Sequence, residues 1–265
     1  MGRRSDVAHV AGTRLFYEVA GTGTPVVLIH GFSLDSRMWD DQMDAFAARH
    51  QVIRYDMRGT GRSSLPGAES YTESGDLKAL LDHLGVESAA IVGLSAGGGV
   101  ALDFALTYPE AARALVLVDS NVGGWTWSAR WDDGVVPVWS AARDDGIEAA
   151  KERWLALPLF TPALTQPDVA RRLKDMVSDY SGWHWLHDNP QQSLDPPAIQ
   201  HLGDIACPTL IVIGERDEPD FHAIATAFQQ GIPHAETAVI PAAGHMSNME
   251  APAQFNDIVL RFLSR

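Results

Sequence analysis

The stretch Ile91-Val92-Gly93-Leu94-Ser95-Ala96-Gly97-Gly98-Gly99 constrains the fold of this chain more than any other. An apolar run ends there in Gly-x-Ser-x-Gly, and a helical pattern of small residues follows at once. This order predicts a tight strand-to-helix turn that presents the hydroxyl of Ser95 and strains its backbone. We expect positions 93 and 97 to require glycine, because a Cβ at either position would collide where strand and helix close on each other. Such a turn suits a nucleophile, although the pentapeptide alone also fits a glycine-rich turn capped by a serine.

Composition limits the classes of protein to consider. A length of 265 residues predicts one large domain with room for an insertion. The net charge of -14 argues against partners such as nucleic acid and anionic membrane surfaces. The single cysteine, Cys207, excludes an internal disulfide and fits a reducing compartment. No signal peptide or membrane-spanning segment is evident. We expect a cytoplasmic protein, a monomer or homodimer, that acts on a small-molecule substrate.

Apolar runs alternate with helical patterns along most of the chain, which predicts an α/β fold with a mostly parallel sheet covered on both faces. The predicted strands are Val7–Val10, Arg14–Val19, Pro25–His30, Gln51–Tyr55, Ala89–Leu94, Ala114–Val118, Thr209–Ile213 and Thr237–Ile240. The predicted helices between and after them are Tyr71–Leu84, Ala96–Thr107, Pro219–Gln230 and Ala251–Phe262.

The alternation is interrupted between Asn121 and His201, where seven of the eight tryptophans lie. Helical pieces there (Val138–Arg143, Ile147–Ala156, Val169–Tyr180) are not separated by strand patterns. We predict an inserted helical cap at 121–201, on a core formed by 1–120 and 202–265. Packed over a pocket, the cap tryptophans would line an apolar, aromatic site. The candidates for substrate contact are Trp125, Trp183 and Trp185.

A serine hydroxyl needs a neighbouring base to become a nucleophile at neutral pH, and histidine is the usual one. His245 follows Gly244 in a loop beyond the strand Thr237–Ile240, so it should lie at the same sheet edge as Ser95. A carboxylate must orient the imidazole. Two aspartates follow strands and qualify, Asp217 and Asp119; we favour Asp217, because its strand directly precedes that of the histidine.

Acyl transfer also needs backbone N–H groups directed at the developing oxyanion. We predict that Ala96 supplies one, at the start of a helix, and that Phe32 supplies the other, in the loop His30-Gly31-Phe32 after the third strand. His30 itself is expected to support that loop by hydrogen bonding. No His, Cys, Asp and Glu cluster has metal-ligand spacing, so neither a metal nor another cofactor is expected.

With these positions assembled, the chain resembles the α/β-hydrolase superfamily over nearly its full length. The matching segments, in family order, are His30–Phe32, Asp56–Ser63, Gly93–Gly97, Gly214–Asp217 and Gly244–His245. The resemblance implies a mostly parallel eight-stranded sheet with an inserted cap, and a structural role for the Asp56–Ser63 loop. A serine at position 95 disfavours the branches that use an aspartate nucleophile, such as haloalkane dehalogenases and epoxide hydrolases. The chain looks closer to small cytoplasmic esterases, enol-lactone hydrolases, carbon–carbon bond hydrolases and perhydrolases.

Our leading hypothesis is therefore a serine hydrolase that cleaves a carboxylic ester or lactone with an apolar or aromatic moiety through an acyl-enzyme. Ser95 attacks, His245 takes its proton, Asp217 orients His245, and Phe32 and Ala96 hold the oxyanion. Two alternatives remain open at this point. One is hydrolysis of a carbon–carbon bond in a vinylogous diketone, and the other is a slow-turnover ligand receptor on the same fold.

Overall fold

The computed structural model describes residues 2–265, and its centre is one eight-stranded sheet. The strands are β1 (Arg4–Val10), β2 (Thr13–Ala20), β3 (Thr24–Ile29), β4 (His50–Tyr55), β5 (Ala89–Leu94), β6 (Ala112–Val118), β7 (Thr209–Gly214) and β8 (Glu236–Ile240). They lie in the order β1-β2-β4-β3-β5-β6-β7-β8. β1 pairs antiparallel with β2 and β2 with β4, whereas all other neighbours are parallel. The predicted fold class, a mostly parallel α/β-hydrolase sheet, is confirmed.

The central strands are continuous apolar runs because helices cover them on both faces. Every residue of β5 and of β7 is buried. Neighbouring residues of β5 point to opposite faces: Ile91 packs in one core cluster and Val92 in the other. The strand order brings the carboxyl ends of β3, β5, β6, β7 and β8 to one edge of the sheet, where sites form in open parallel sheets.

Helices cover the two faces of the sheet. Phe46 and Phe255 pack in the core cluster of one face, and Leu77 and Phe104 pack in the cluster of the other. The helices are α1 (Asp40–Ala47), α2 (Glu73–His83), α3 (Ala96–Thr107), α4 (Ala129–Asp144), α5 (Ile147–Leu155), α6 (Thr161–Leu164), α7 (Pro167–Asp179), α8 (Trp183–Leu186), α9 (Pro219–Gly231), α10 (Ser247–Glu250) and α11 (Pro252–Leu263). Within residues 2–265, none of these helices combines the length and apolar character that crossing a bilayer requires.

The segment between β6 and β7 contains α4 to α8 and adds no strand to the sheet in the described residues. Its helices bury their own apolar side chains, among them Val138, Leu173 and Val177, in the same cluster as one face of the sheet. This helical insertion is where the sequence predicts a cap; the cap bounds, 121–201, stay a prediction. Five helices differ from the sequence analysis: α1 and the single-turn helices α6, α8 and α10 were not predicted, and α4 begins at Ala129, ahead of the predicted Val138.

Candidate active site

Ser95 lies on the turn between β5 and α3, at the edge where the parallel strands end. Its backbone has φ 55° and ψ -117°, which is a strained conformation for a residue with a side chain. The turn is held by hydrogen bonds on both sides. The Ser95 N–H donates to the carbonyl of Val118 at the end of β6, 2.9 Å away, and the Ser95 carbonyl accepts from Gly98 and Gly99. The structure thus has the strained turn that the sequence predicts.

Two glycines permit this turn because strand and helix almost touch there. A Cβ on Gly93 would lie 2.0 Å from the carbonyl oxygen of Gly97. A Cβ on Gly97 would lie 2.4 Å from the carbonyl oxygen of Ile29, at the end of β3. Both distances are far below any real contact, and the clashing atoms are backbone atoms that cannot move aside. The steric role predicted for Gly93 and Gly97 is confirmed.

His245 lies in the loop after β8 and Asp217 in the loop after β7, and the two side chains meet. His245 Nδ1 lies 3.1 Å from Oδ1 and 3.0 Å from Oδ2 of Asp217, and both side chains are buried. Because a carboxylate only accepts, Nδ1 carries the proton and Nε2 is left as the basic nitrogen. The N–H of Glu218 donates to Asp217 Oδ1 at 2.7 Å, and the ring of Phe221 packs 4.3 Å from the imidazole. These contacts fix the orientation of the histidine.

Asp119, the alternative carboxylate, lies beyond β6 with a different set of partners. Its Oδ1 accepts from the N–H of Gly214 at 2.7 Å, and its Oδ2 accepts from the hydroxyl of Ser247. Burial, reinforced by the neighbouring Asp217 carboxylate, raises the pKa of Asp119 well above its usual range. Its hydrogen bonds therefore join the ends of β6 and β7 to α10, whereas the recorded partner of His245 is Asp217.

The loop that carries His245 is held by a carboxylate that the sequence analysis did not single out. Glu250 accepts from the N–H of Gly244 at 2.7 Å and from that of Met246 at 3.1 Å, one on either side of the histidine. A Cβ on Gly214 would lie 2.1 Å from the carbonyl oxygen of Gly244, so the end of β7 also presses on this loop. The only sequence signal for Glu250 is an acid shortly after the histidine, which is too common to be informative.

His30 supports the loop after β3, as predicted. The N–H of Met57 donates to His30 Nε2 at 2.9 Å, so Nδ1 carries the proton and donates to the Gly31 carbonyl at 2.8 Å. Burial lowers the pKa of His30, which keeps the imidazole neutral. This bond fixes the loop at the residue before Phe32. Phe32 and Ala96, the predicted oxyanion donors, both line the cavity described next.

A cavity of about 230 Å³ opens over this edge of the sheet. Ser95 and His245 both line it, together with Gly31 and Met246. The rest of the lining is apolar and largely aromatic: Phe32, Leu34, Leu94, Trp127, Trp131, Val135, Trp139, Trp154, Leu159, Phe160 and Phe221, with Ala96 and Asn121 beside them. Such a lining favours apolar and aromatic ligand groups. The described residues contain no hydrogen bond between the Ser95 hydroxyl and the His245 imidazole.

The cavity differs from the sequence prediction in which tryptophans line it. The predicted residues Trp125, Trp183 and Trp185 do not line it, and four others do. Trp185 is fully buried one layer behind the lining. Trp183 stacks on the ring of His187, with centroids 5.0 Å apart, and the indole N–H of Trp125 points toward Asp220. The general prediction of an aromatic site was thus better than the choice of residues, because that choice depends on how the inserted helices pack.

The sequence model of the family described as alpha/beta hydrolase fold matches residues 24–252. The chain belongs to this family, and it is a hydrolase. The match extends from β3 into the start of α11, and so includes the Ser95 turn and the Asp217 and His245 loops.

Relatives of similar length carry the names of different substrates. The protein called "Putative carbamate hydrolase RutD" from Azorhizobium caulinodans is 32% identical over 263 residues, covering 96% of this chain and 97% of that protein. A 2-hydroxy-6-oxononadienedioate/2-hydroxy-6-oxononatrienedioate hydrolase from Paraburkholderia phymatum is 30% identical, covering 95% and 91%. The crystal structure of the enol-lactonase from Burkholderia xenovorans LB400 superposes with a TM-score of 0.82 at 25% identity, covering 98% of this chain and 100% of that one.

Proposed function

We propose that this protein is a serine hydrolase that cleaves a carboxylic ester or lactone through an acyl-enzyme. One observation carries the proposal. The imidazole of His245, oriented by the buried Asp217 carboxylate, lines the same cavity as the serine on the strained turn. Nucleophile, base and orienting acid are the three parts that this chemistry requires. They follow one another along the chain in the order Ser95, Asp217, His245, which is the order typical of this fold.

In the proposed mechanism, His245 Nε2 takes the proton of the Ser95 hydroxyl as the oxygen attacks the carbonyl carbon. Catalytic hydrogen bonds are often long without substrate and shorten only in the reactive complex, so the contact between serine and histidine forms with substrate bound. The N–H groups of Phe32 and Ala96 hold the oxyanion. Ala96 is the first residue of α3, where an N–H has no acceptor within the helix and the helix dipole favours negative charge. His245 then returns its proton to the leaving oxygen and activates the water that cleaves the acyl-enzyme.

The lining supports a substrate with an apolar or aromatic group. Trp127, Trp131, Trp139 and Trp154 surround the space over Ser95, and a cavity of about 230 Å³ suits a small molecule. The similarity to an enol-lactonase at 98% coverage supports esters and lactones as the substrate class.

A second candidate is hydrolysis of a carbon–carbon bond in a vinylogous diketone. The observation that favours it is the 30% identity to a 2-hydroxy-6-oxononadienedioate hydrolase over 95% of this chain. The same three side chains would serve both reactions, so the substrate preference decides between them.

Labelling with a fluorophosphonate, followed by a substrate panel, tests the proposal. We expect the label on Ser95, and we expect Ser95→Ala to lose the label and at least about 10³-fold of kcat on aryl esters. Ser70→Ala, at an exposed serine, is the matched control and should retain both. A Ser95→Ala protein that keeps most of its activity would refute the assignment. Preference for a ring-cleavage diketone over all esters and lactones would favour the second candidate, and a single slow turnover would favour a ligand receptor.

A further inference from the structure

A second cavity, of about 380 Å³, adjoins the one over Ser95. The two share four lining residues, Phe32, Ala96, Asn121 and Trp139, so that the proposed oxyanion donors lie between them. Beyond these shared residues, the second cavity is polar rather than aromatic.

The positive charge in this cavity is already neutralised. Arg58 donates from Nε and Nη2 to the two oxygens of Asp76, at 2.8 and 2.6 Å, and both side chains are buried. Its guanidinium also lies 4.1 Å from the ring centroid of Tyr71. His184, which also lines the cavity, adds no charge near neutral pH, because burial lowers its pKa to about 4.

Two acids in the cavity have no such partner. Glu73 is only 7% exposed, and its Oε2 makes no hydrogen bond within residues 2–265. Leaving a buried polar atom unpaired costs about 1–3 kcal/mol, more for a charged group. Asp103 on α3 also lines the cavity. Burial raises the pKa of Asp103 to about 6; burial and the nearby Asp76 raise that of Glu73 to about 8 despite the proximity of Arg58. Within residues 2–265 the ion-pair partner of Arg58 is Asp76, and neither Glu73 nor Asp103 forms an ion pair of its own.

We propose that the second cavity binds a protonated amine of the substrate or product, with Glu73 and Asp103 as its acceptors. An ammonium group offers three donors and the missing positive charge. Phe32 and Trp139, shared with the first cavity, add aromatic faces that attract a cation. A carboxylate would face two acids and find the only guanidinium already paired. This inference rests on the proposed function, because it places the amine on a substrate cleaved at Ser95.

Three probes with the same ring test the charge preference: benzylammonium, benzyl alcohol and benzoate, each titrated by calorimetry at neutral pH. We expect the protein to bind benzylammonium about 10- to 100-fold more tightly than benzyl alcohol, the range for a hydrogen bond to a charged group, and benzoate most weakly. A bound ammonium favours the ionised form of either acid, which an amide cannot adopt, so Glu73→Gln and Asp103→Asn should each remove most of that preference. Asp168→Asn, the same change at an exposed position on α7, should leave it intact.

Thermal unfolding of each variant separates lost binding from lost folding. Asp103 is only partly buried, so Asp103→Asn provides the test even where Glu73→Gln does not fold. The proposal is overturned if benzoate binds as tightly as benzylammonium, or if the preference survives in folded Asp103→Asn. Measuring both amine binding and ester hydrolysis in Ser95→Ala distinguishes failure of this proposal from failure of the proposed function. Retained ester hydrolysis in that variant contradicts the proposed function alone, whereas the loss of amine preference in the acid variants depends on the second cavity alone.

Discussion

Replacing Asp217 by Asn tests whether this carboxylate orients His245, as the proposed mechanism requires. The carboxylate accepts the Nδ1 proton through both oxygens, at 3.1 and 3.0 Å, in a buried site. An amide of the same shape would turn its NH₂ group toward Nδ1 and favour the tautomer with the proton on Nε2. That nitrogen could then no longer take the proton of Ser95. We expect kcat to fall about 10³- to 10⁴-fold, which corresponds to about 4–5.5 kcal/mol of transition-state stabilisation.

Asp119→Asn is the matched comparison, because the same chemical change is made one strand away. Burial and the neighbouring Asp217 carboxylate raise the pKa of Asp119, which favours the neutral acid that an amide resembles. Its oxygen can still accept from the N–H of Gly214, and the hydroxyl of Ser247 can turn to accept instead of donate. We expect less than about a tenfold change in kcat, since both hydrogen bonds of Asp119 can be kept and neither of them reaches His245.

The assay is steady-state hydrolysis of an aryl ester for both variants, with thermal unfolding to show that each is folded. Fluorophosphonate labelling of Ser95 gives a second readout, because labelling also needs the basic nitrogen. The reasoning is refuted if Asp119→Asn loses as much kcat as Asp217→Asn while both remain folded. That result would make Asp119 the charged partner of the histidine and Asp217 a structural acid.

Three further changes test the packing around the site. Gly97→Ala forces a Cβ to 2.4 Å from a backbone carbonyl of β3 and should destabilise the fold by about 3 kcal/mol or more in denaturant titration, whereas Gly67→Ala, which meets nothing within 4 Å, should be neutral. Asp76→Asn leaves the buried Arg58 unpaired and should cost about 3–5 kcal/mol in the same assay. Asp103→Asn should raise the melting temperature. In the folded protein burial raises the pKa of Asp103 to about 6, above the usual 3.8, so the ionised carboxylate destabilises the fold above pH 6 by at most about 3 kcal/mol. This gain should fade as the pH falls toward 4 and should not appear below it.

The parts of the site that the sequence predicts well are those set by local rules. Gly93, Ser95 and Gly97 belong to one turn, and the steric conflict that requires the glycines is visible from their spacing. The meeting of Asp217 with His245 follows from topology, because both residues come directly after neighbouring parallel strands. In both cases a short segment and the direction of a strand determine where the side chain lies.

The remaining details depend on contacts between distant segments, which no local pattern encodes. α4 runs through Pro137, a residue that normally ends a helix, and the helical pattern in the sequence begins only after it, at Val138. The tryptophans that line the cavity are selected by how α4 and α5 pack over the sheet. These features follow from tertiary packing, which overrides the local signals.

The inserted helices do more than line the cavity, because they hold a residue of the proposed chemistry. The ring of Phe32 lies 6.0 Å from that of Trp139, 5.5 Å from Trp154, 5.8 Å from Tyr180 and 6.2 Å from Trp185, all of which belong to the insertion. The N–H proposed to hold the oxyanion is on this same residue, and its value depends on position to within about half an ångström. Trp185 lies outside the cavity lining yet buttresses it. Trp185→Ala would leave a cavity behind the lining and let the Phe32 N–H move. In steady-state kinetics we therefore expect it to lower kcat more than it raises KM, although no ligand contact is lost.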